Sequence, residues 1–178
     1  MLQIEVQIVP ERWDEKTEKF IEPKIIKLQL EHSLITISKC ESKWSKPFLT
    51  KKEKTIEETI DYIKCMTLTQ NVKSDVYDHI TQSDFQMVLD YINSPMTATT
   101  FSQNQQTGGN REIVTSELIY YWMIALNIPI DECQKWHLNR LLTLIRVCEI
   151  KNNPGKKMSK KDIYKRQAAI NAARRKKH

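Results

Sequence analysis

The hydrophobic period of the chain changes once, near Glu31, and this change constrains the class of fold. Before it, the segments LQIEVQIV and KIIKLQL place apolar residues at every second position, which is typical of strands with one buried face. After it, apolar residues recur every three or four positions, which indicates helices. A polar connection carrying Trp13 joins the two alternating segments, so we expect them to pair as an antiparallel hairpin.

Helix start and stop signals follow in order along the chain. A first helix is predicted from Glu31 to a stop at Pro47. Two later helices are predicted to open with a capping box, in which a Ser or Thr lies three residues before a Glu or Gln. The capping pairs are Thr55 with Glu58 and Ser83 with Gln86.

The segment 97–115 interrupts the helical pattern. Its Thr-rich flanks favour a β-hairpin with a mobile tip near 102–110, and a plain flexible loop is the alternative. The next segment, SELIYYWMIAL, is apolar on nearly all sides, so we expect a centrally buried helix. The tight connection NIPID predicts that this helix and the next one pack as an αα-hairpin. The predicted fold is therefore α+β but mostly α: an N-terminal β-hairpin packed on about five helices, with a basic C-terminal helix.

Charge divides the chain into two regions. Residues 151–178 hold 11 of the 28 Lys and Arg residues but only one of the 22 acidic residues, which gives a net charge of +10. Residues 1–150 hold the other 17 basic and 21 acidic residues, a net charge of −4. We therefore predict a mostly helical globular domain at 1–150 and a basic arm at 151–178.

The basic arm predicts an electrostatic partner. Docking on an acidic protein surface and a solvated tail are equally compatible with its composition. Binding to nucleic acid phosphates is less favoured, because the arm has one aromatic residue, Tyr164, for base stacking. The residues expected to carry binding are the cations of this arm, namely Lys156, Lys157, Lys160, Lys161, Lys165, Arg166, Arg174, Arg175, Lys176 and Lys177.

The segment CQKWHLNRLLTLIRVC, residues 133–148, allows two interpretations. As one helix, it places Cys133 and His137 on a single apolar stripe, with the spacing of metal ligands or of a thiol–imidazole pair. No second ligand pair accompanies them, because His32, His79 and Cys65 stand alone in other segments. We therefore favour a helix packing face, with the cysteines as small apolar groups and His137 neutral and hydrogen bonded. No metal and no cofactor is predicted.

Arg140 is unusual in that helix, since its position lies inside the apolar arc. A buried guanidinium needs a compensating charge or a partner surface. Glu41, Glu117 or Asp131 could supply the charge, and we favour this salt bridge over a direct role of Arg140 in binding. Arg140 is nevertheless kept as a candidate partner-binding residue.

Several functional classes lack their sequence signals. The chain contains no GxxxxGK[ST], GxGxxG, HExxH or GxSxG motif, so we expect a protein without enzymatic activity. No apolar run reaches the roughly 18 residues of a membrane span, and the N-terminus has no secretion signal. The four cysteines form no CxxC pair, which favours free thiols in a reducing cytoplasm.

Four segments of the chain resemble one group of phage sequences. They are LQLEHSLITISKCESKW, EETIDYIKCMT, SELIYYWMIALNIPIDECQKWHLNRLLTLIRVCEIKN and NAARRKK. They resemble tail assembly chaperone proteins of long-tailed bacteriophages, and the resemblance runs from about Leu28 onward. It implies a non-enzymatic protein that binds the helix-rich tape measure protein, keeps it soluble and helps to recruit tail tube subunits.

The resemblance also implies a location and leaves an alternative. Tail assembly takes place in the host cell cytoplasm, and such a protein can form homo-oligomers. A strongly basic terminus is equally what a connector or capsid-associated protein would carry, with the arm contacting DNA or an acidic protein surface. The alternative is therefore a structural protein of the virion.

Overall fold

A computed structural model describes residues 1–14, 18–50, 54–101 and 113–152. The fold is α+β and mostly α, as predicted, with an N-terminal antiparallel hairpin followed by helices. The strands are β1 (Leu2–Val9), β2 (Arg12–Asp14), β3 (Lys19–Ile21) and β4 (Lys24–Leu30). The helices are α1 (Leu34–Trp44), α2 (Ile56–Met66), α3 (Gln82–Asn93), α4 (Ser116–Ala125), α5 (Ile130–Cys133) and α6 (Leu138–Asn152), with a 3₁₀ helix, Ser74–His79, before α3.

The predicted hairpin is confirmed. Strands β1 and β4 pair antiparallel from Leu2 opposite Leu30 to Val9 opposite Lys24, with one irregularity near Val9. The strand period of two turns every second side chain towards the helices, and this inner face is fully buried at its centre and half-buried at its ends. Its buried residues are Ile4, Val6, Leu28 and Leu30.

The connection between these strands is more ordered than the sequence predicts. It carries a second antiparallel ribbon, β2 with β3, in which Trp13 lies opposite Phe20. The two rings pack edge to face with their centroids 4.9 Å apart, and both side chains are exposed. Strands of three residues in a polar segment have too short an alternation to be recognised.

The 3₁₀ helix and α3 pack on strand β1 of the hairpin, and α1 packs on both α2 and α4, so the core includes the inner face of the hairpin and these helices. Each large apolar side chain buried there stabilises the fold by roughly 1.5–3 kcal/mol. The fully buried members from the helices are Leu34, Ile37, Ile63, Met66, Ile119, Met123, Leu138 and Leu141.

The capping box of α2 is confirmed, whereas that of α3 is wrong. Thr55 accepts a hydrogen bond from the Glu58 N–H, and Glu58 accepts one from the Thr55 N–H. Helix α3 begins two residues earlier than the predicted Ser83–Gln86 pair. Its box is formed by Thr81 and Asp84, whose carboxylate accepts the Thr81 N–H at 2.9 Å. Because the shorter Asp stands where the capping-box pattern expects Glu or Gln, the pattern did not predict this helix start.

The prediction that α4 is a centrally buried helix holds for one face only. One face, with Ile119 and Met123, is fully buried, but the opposite face leaves Tyr121 63% and Ile124 62% exposed. Helix α4 packs on α1 and α5, and no other described helix or strand covers its outer face. A uniformly apolar sequence does not reveal which side of a helix meets the core.

Two predictions fall partly or wholly outside the described residues. The flanks of the predicted 97–115 hairpin, 97–101 and 113–115, contain no strand, and its centre lies outside the described residues. The basic helix expected after 152 lies outside them too. Within the described ranges, no helix is long and apolar enough to cross a membrane.

The contacts divide the chain near the end of α6. Met1–Ile145 form one compact unit, and a second unit begins at Arg146. Of the second unit, the structure describes only Arg146–Asn152, the end of α6. The division at 150 that the charge pattern predicts stays a prediction.

Candidate functional site

The segment 133–148 is not one helix, which corrects the sequence interpretation. Cys133 ends the one-turn helix α5, and α6 begins only at Leu138. Between them, His137 forms an isolated β-bridge with Ser33, and the Leu138 N–H donates to the His32 carbonyl oxygen at 2.7 Å. The break therefore anchors the start of α6 to the junction between β4 and α1.

His137 is held neutral at this junction. Its Nδ1 accepts the Asn139 N–H at 3.3 Å, so the proton is on Nε2, which donates to the Tyr91 carbonyl oxygen at 3.0 Å. Burial lowers the pKa of His137, and the hydrogen bond to Tyr91 partly opposes that shift. The prediction of a buried, hydrogen-bonded imidazole is confirmed.

A second imidazole, which the sequence analysis left isolated, lies beside the first. The ring centroids of His32 and His137 are 5.1 Å apart, and the His32 Nδ1 shares a hydrogen bond with the Tyr62 hydroxyl. Burial, with a smaller contribution from His137, lowers the pKa of His32 to about 4. We call His32, Tyr62, Tyr91 and His137 the histidine cluster.

The histidine cluster is a closed polar network. Both ring nitrogens of His137 are engaged, so neither offers a lone pair to a ligand. Burial raises the pKa of the Cys133 thiol, which disfavours the nucleophilic thiolate. In the described part of the chain, no three His, Cys, Asp or Glu side chains are grouped to hold a metal ion. The arrangement joins four segments of the fold rather than presenting groups to solvent.

Arg140 differs from its prediction. Its side chain is exposed, and its guanidinium lies 4.2 Å from the centroid of the Trp136 ring. It makes no ion pair with any acidic residue that the structure describes. The prediction of a buried arginine is wrong because the helical wheel was drawn through the break at 134–137. A stacked, exposed guanidinium needs no neutralising acid.

The remaining predicted binding residues, from Lys156 to Lys177, lie outside the described residues. Their role stays a prediction. The described chain contributes a different candidate site, a cleft of about 410 Å³ between the end of α1 and the start of α2. We call it the Trp44 cleft, and its walls are formed mainly by Trp44, Pro47, Phe48 and Ile113.

The turn that forms the Trp44 cleft is fixed by a buried carboxylate. Helix α1 ends at Trp44, and Ser45 adopts a left-handed conformation with φ of 49°. One oxygen of Glu41 then accepts the Phe48 N–H at 2.7 Å, and the other accepts the Ser116 N–H at 2.8 Å. The second bond places negative charge at the N-terminus of α4, where the helix dipole favours it.

Phe48 forms the inner wall of the cleft. Its ring stacks on the Tyr62 ring with centroids 4.0 Å apart and planes 20° from parallel. Tyr62 is itself a member of the histidine cluster. The cleft wall therefore rests on a side chain that is hydrogen bonded within the core.

The rim of the Trp44 cleft carries two cations and one carboxylate. Lys46 donates to Glu58 at 2.8 Å, and this bond, with the Thr55 backbone bond, lowers the pKa of Glu58. Lys54 lies 4.5 Å above the Phe48 ring and forms no ion pair with a described acidic residue. Both oxygens of Glu58 are already in use, and the described lining carries two positive charges against one negative charge.

Trp44 contributes a donor without an acceptor. Its indole Nε1–H is buried and makes no hydrogen bond to any described residue. The ammonium groups of Lys43 and Lys46 lie 5.9 Å and 5.6 Å from the centroid of its ring. A buried donor that lacks an acceptor costs about 1–3 kcal/mol.

Sequence analysis assigned no role to these residues. It treated Pro47 only as a helix stop, although two aromatic residues alternate with five lysines in KWSKPFLTKKEK. That interleaving of aromatic and cationic side chains is the sequence signal that could have indicated a binding surface. The loop conformation that turns both rings into one cleft depends on Glu41, which has no sequence signature.

Neither protein-family models, nor curated proteins, nor solved structures gave a match to this chain.

Proposed function

We propose that this chain is a non-enzymatic assembly protein of a long-tailed phage, which binds the tape measure protein in the host cytoplasm and promotes tail assembly. Tail tube subunits are a further proposed partner. The resemblance of its sequence motifs to tail assembly chaperones supports this function. The structural observation that carries it is the apolar outer face of α4.

The outer face of α4 has the character of a protein-binding surface. Tyr121 and Ile124 lie one helical turn apart and are each more than 60% exposed. Apolar side chains at this spacing match the anchors by which amphipathic helices bind one another. Met87 and Leu89 of α3 are also partly exposed, but they lie on different sides of that helix. Contact with such a face would cover the apolar surface of a helix-rich partner of low solubility and so protect that partner from precipitation.

The basic arm supports the same proposal through charge. With a net charge of +10 over residues 151–178, it would steer an acidic partner surface towards the chain. Apolar contacts on the helices and long-range attraction from the arm would then act together. Binding that depends on both should weaken as salt concentration rises.

Co-expression with the tape measure protein of the same phage tests the proposal. We expect the tape measure protein to stay soluble with the wild-type chain and to precipitate with a Tyr121→Ser/Ile124→Ser double variant. Changing the arm cations in 156–177 to Glu should abolish co-purification, whereas changing the same lysines to Arg should not. Unchanged recovery of soluble tape measure protein with both the α4 and the Glu variants would reject the proposed role.

The charge division also supports a second candidate, a virion structural protein whose arm contacts DNA or an acidic protein surface. Mass spectrometry of purified particles separates the two. A chaperone is absent from finished particles, whereas a connector or capsid-associated protein is present in a fixed copy number.

A further inference from the structure

The Trp44 cleft has the size and shape of a preformed binding site. Its volume of about 410 Å³ falls within the roughly 300–1,000 Å³ that ligand pockets span. Its back wall, the Phe48 ring, is held in place by stacking on Tyr62 and by the Glu41 bond to the Phe48 N–H. A site that is already ordered loses little entropy when a ligand enters.

The lining of the cleft selects an apolar side chain. Trp44, Pro47 and Phe48 present ring surface, and Ile113 stands at the edge with 59% of its surface exposed. Ile56, beside the cleft residue Thr55, is 76% exposed. Covering such surface releases roughly 25 cal/mol per Å². A bulky aliphatic or aromatic group is therefore the part of a ligand that would fill the cleft.

The rim adds a requirement for negative charge. Lys46 and Lys54 line the cleft against a single carboxylate, Glu58, and that carboxylate is already bound by Lys46 and by the Thr55 N–H. Lys54 lies 4.5 Å from the centroid of the Phe48 ring and also attracts the Glu58 carboxylate, without forming an ion pair with it. A carboxylate from a ligand would balance the excess charge.

We propose that the Trp44 cleft binds an acidic amphipathic segment of a partner protein, which inserts a bulky apolar side chain between Trp44 and Phe48 and places a carboxylate against Lys54. This inference rests on the proposed function as a protein-binding chain and names what the cleft recognises in the partner. The test uses synthetic peptides and so stands apart from the phage partner.

The experiment is a titration of a fluorescently labelled helical peptide with the full chain, followed by anisotropy. The peptide carries Phe and Glu one turn apart in an otherwise Ala- and Gln-rich sequence. We expect saturable binding that weakens about 10-fold when Glu becomes Gln and that is lost when Phe becomes Ser. Equal binding of all three peptides would overturn the proposal.

Variants of the chain locate the site. Lys54→Glu should weaken binding about 10-fold, whereas Lys73→Glu, an exposed lysine outside the cleft, should leave it unchanged. Trp44→Phe keeps an aromatic wall but removes the N–H, and we expect a loss of a few fold. Thermal unfolding of each variant confirms that it is folded. Equal weakening by Lys54→Glu and Lys73→Glu would mean general charge attraction and would overturn the cleft as the site.

Three further outcomes separate a failure of the cleft proposal from a failure of the proposed function. If indole-3-acetate competes with the peptide at equal concentration, the cleft is a small-molecule site and the peptide proposal is overturned. If peptide binding depends on Lys54 while the tape measure protein fails to co-purify with the chain, the cleft proposal stands and the proposed function falls. If co-purification succeeds but no acidic peptide binds, the cleft proposal falls alone.

Discussion

The histidine cluster and the Trp44 cleft are built from similar side chains and differ in how completely their polar groups are satisfied. In the cluster, aromatic and imidazole groups are buried, and the described hydrogen bonds engage both nitrogens of His137. In the cleft, the Trp44 indole N–H has no described acceptor and Lys54 has no described ion pair. The two regions meet at Tyr62, which bonds to His32 and stacks on Phe48.

The difference indicates which region serves the fold and which serves a partner. Fully satisfied buried networks rigidify a structure, and changes in them are costly. Substituting a group that has no partner on a concave surface costs little folding stability. The same group contributes to binding affinity when a ligand supplies the missing contact. This assignment can be tested by measuring the stability of variants in the histidine cluster and the binding of variants in the Trp44 cleft.

The largest effect is expected at His137. His137→Ala should lower the free energy of unfolding by about 3–4 kcal/mol, because it leaves a buried cavity and removes the partners of the Tyr91 carbonyl and the Asn139 N–H. Urea denaturation measures this change. His79→Ala, at an exposed histidine, is the control and should stay within about 0.5 kcal/mol of wild type. Similar small losses for both variants would contradict the structural role of the cluster.

A pH-dependent loss of stability is expected next, from His32. Burial lowers its pKa from the ordinary histidine value of 6.5 to about 4 in the folded chain, so the unfolded chain binds the proton first as the pH falls. Stability from this group is therefore complete above pH 6.5 and is lost progressively down to pH 4. The loss amounts to about 3 kcal/mol at 1.36 kcal/mol per pKa unit.

Denaturant titrations at pH 7, 6, 5 and 4 measure that loss. His32→Phe removes the titrating group, so its stability should fall less steeply between pH 6.5 and 4 than that of the wild-type chain. Carboxylates contribute equally to both proteins below pH 4.5, and the difference between the two curves isolates His32. Parallel curves would show that His32 titrates normally.

The smallest effect sharpens the comparison with a matched pair of changes to Phe. Tyr62→Phe deletes the hydroxyl that bonds to His32, and we expect a loss of about 1–2 kcal/mol. Trp44→Phe deletes an N–H that has no described acceptor, and we expect less than about 1 kcal/mol, all of it from the smaller ring. Thermal unfolding measures the loss of stability in both variants. A larger loss at Trp44 than at Tyr62 would reverse the assignment of the two regions.

Local sequence patterns predicted the parts of the fold that depend on residues close together in the chain. The strict alternation in β1 and β4 fixes which face is buried, and the Thr55–Glu58 box depends on residues three positions apart. The break before α6 was missed because its cause is distant in sequence: the His32 carbonyl accepts the Leu138 N–H across more than 100 residues. A helical wheel has no information about such a competitor.

The candidate site was less predictable than the fold for the same reason. Trp44, Phe48 and Lys54 are visible in the sequence as an aromatic and cationic segment, but their convergence depends on a turn that Glu41 holds. The exposed face of α4 was missed because its sequence is apolar all round, and only its actual neighbours decide which side is covered. The basic arm, predicted from charge alone, stays a prediction.

The Glu41 carboxylate has a mechanical consequence. Because one buried side chain accepts the backbone N–H of both Phe48 and Ser116, the wall of the cleft and the first residue of α4 share a single point of attachment. The cleft and the apolar face of α4 are therefore presented at a set separation. A long partner that binds one of these surfaces is held close to the other. The second contact is then intramolecular and forms at a high effective concentration.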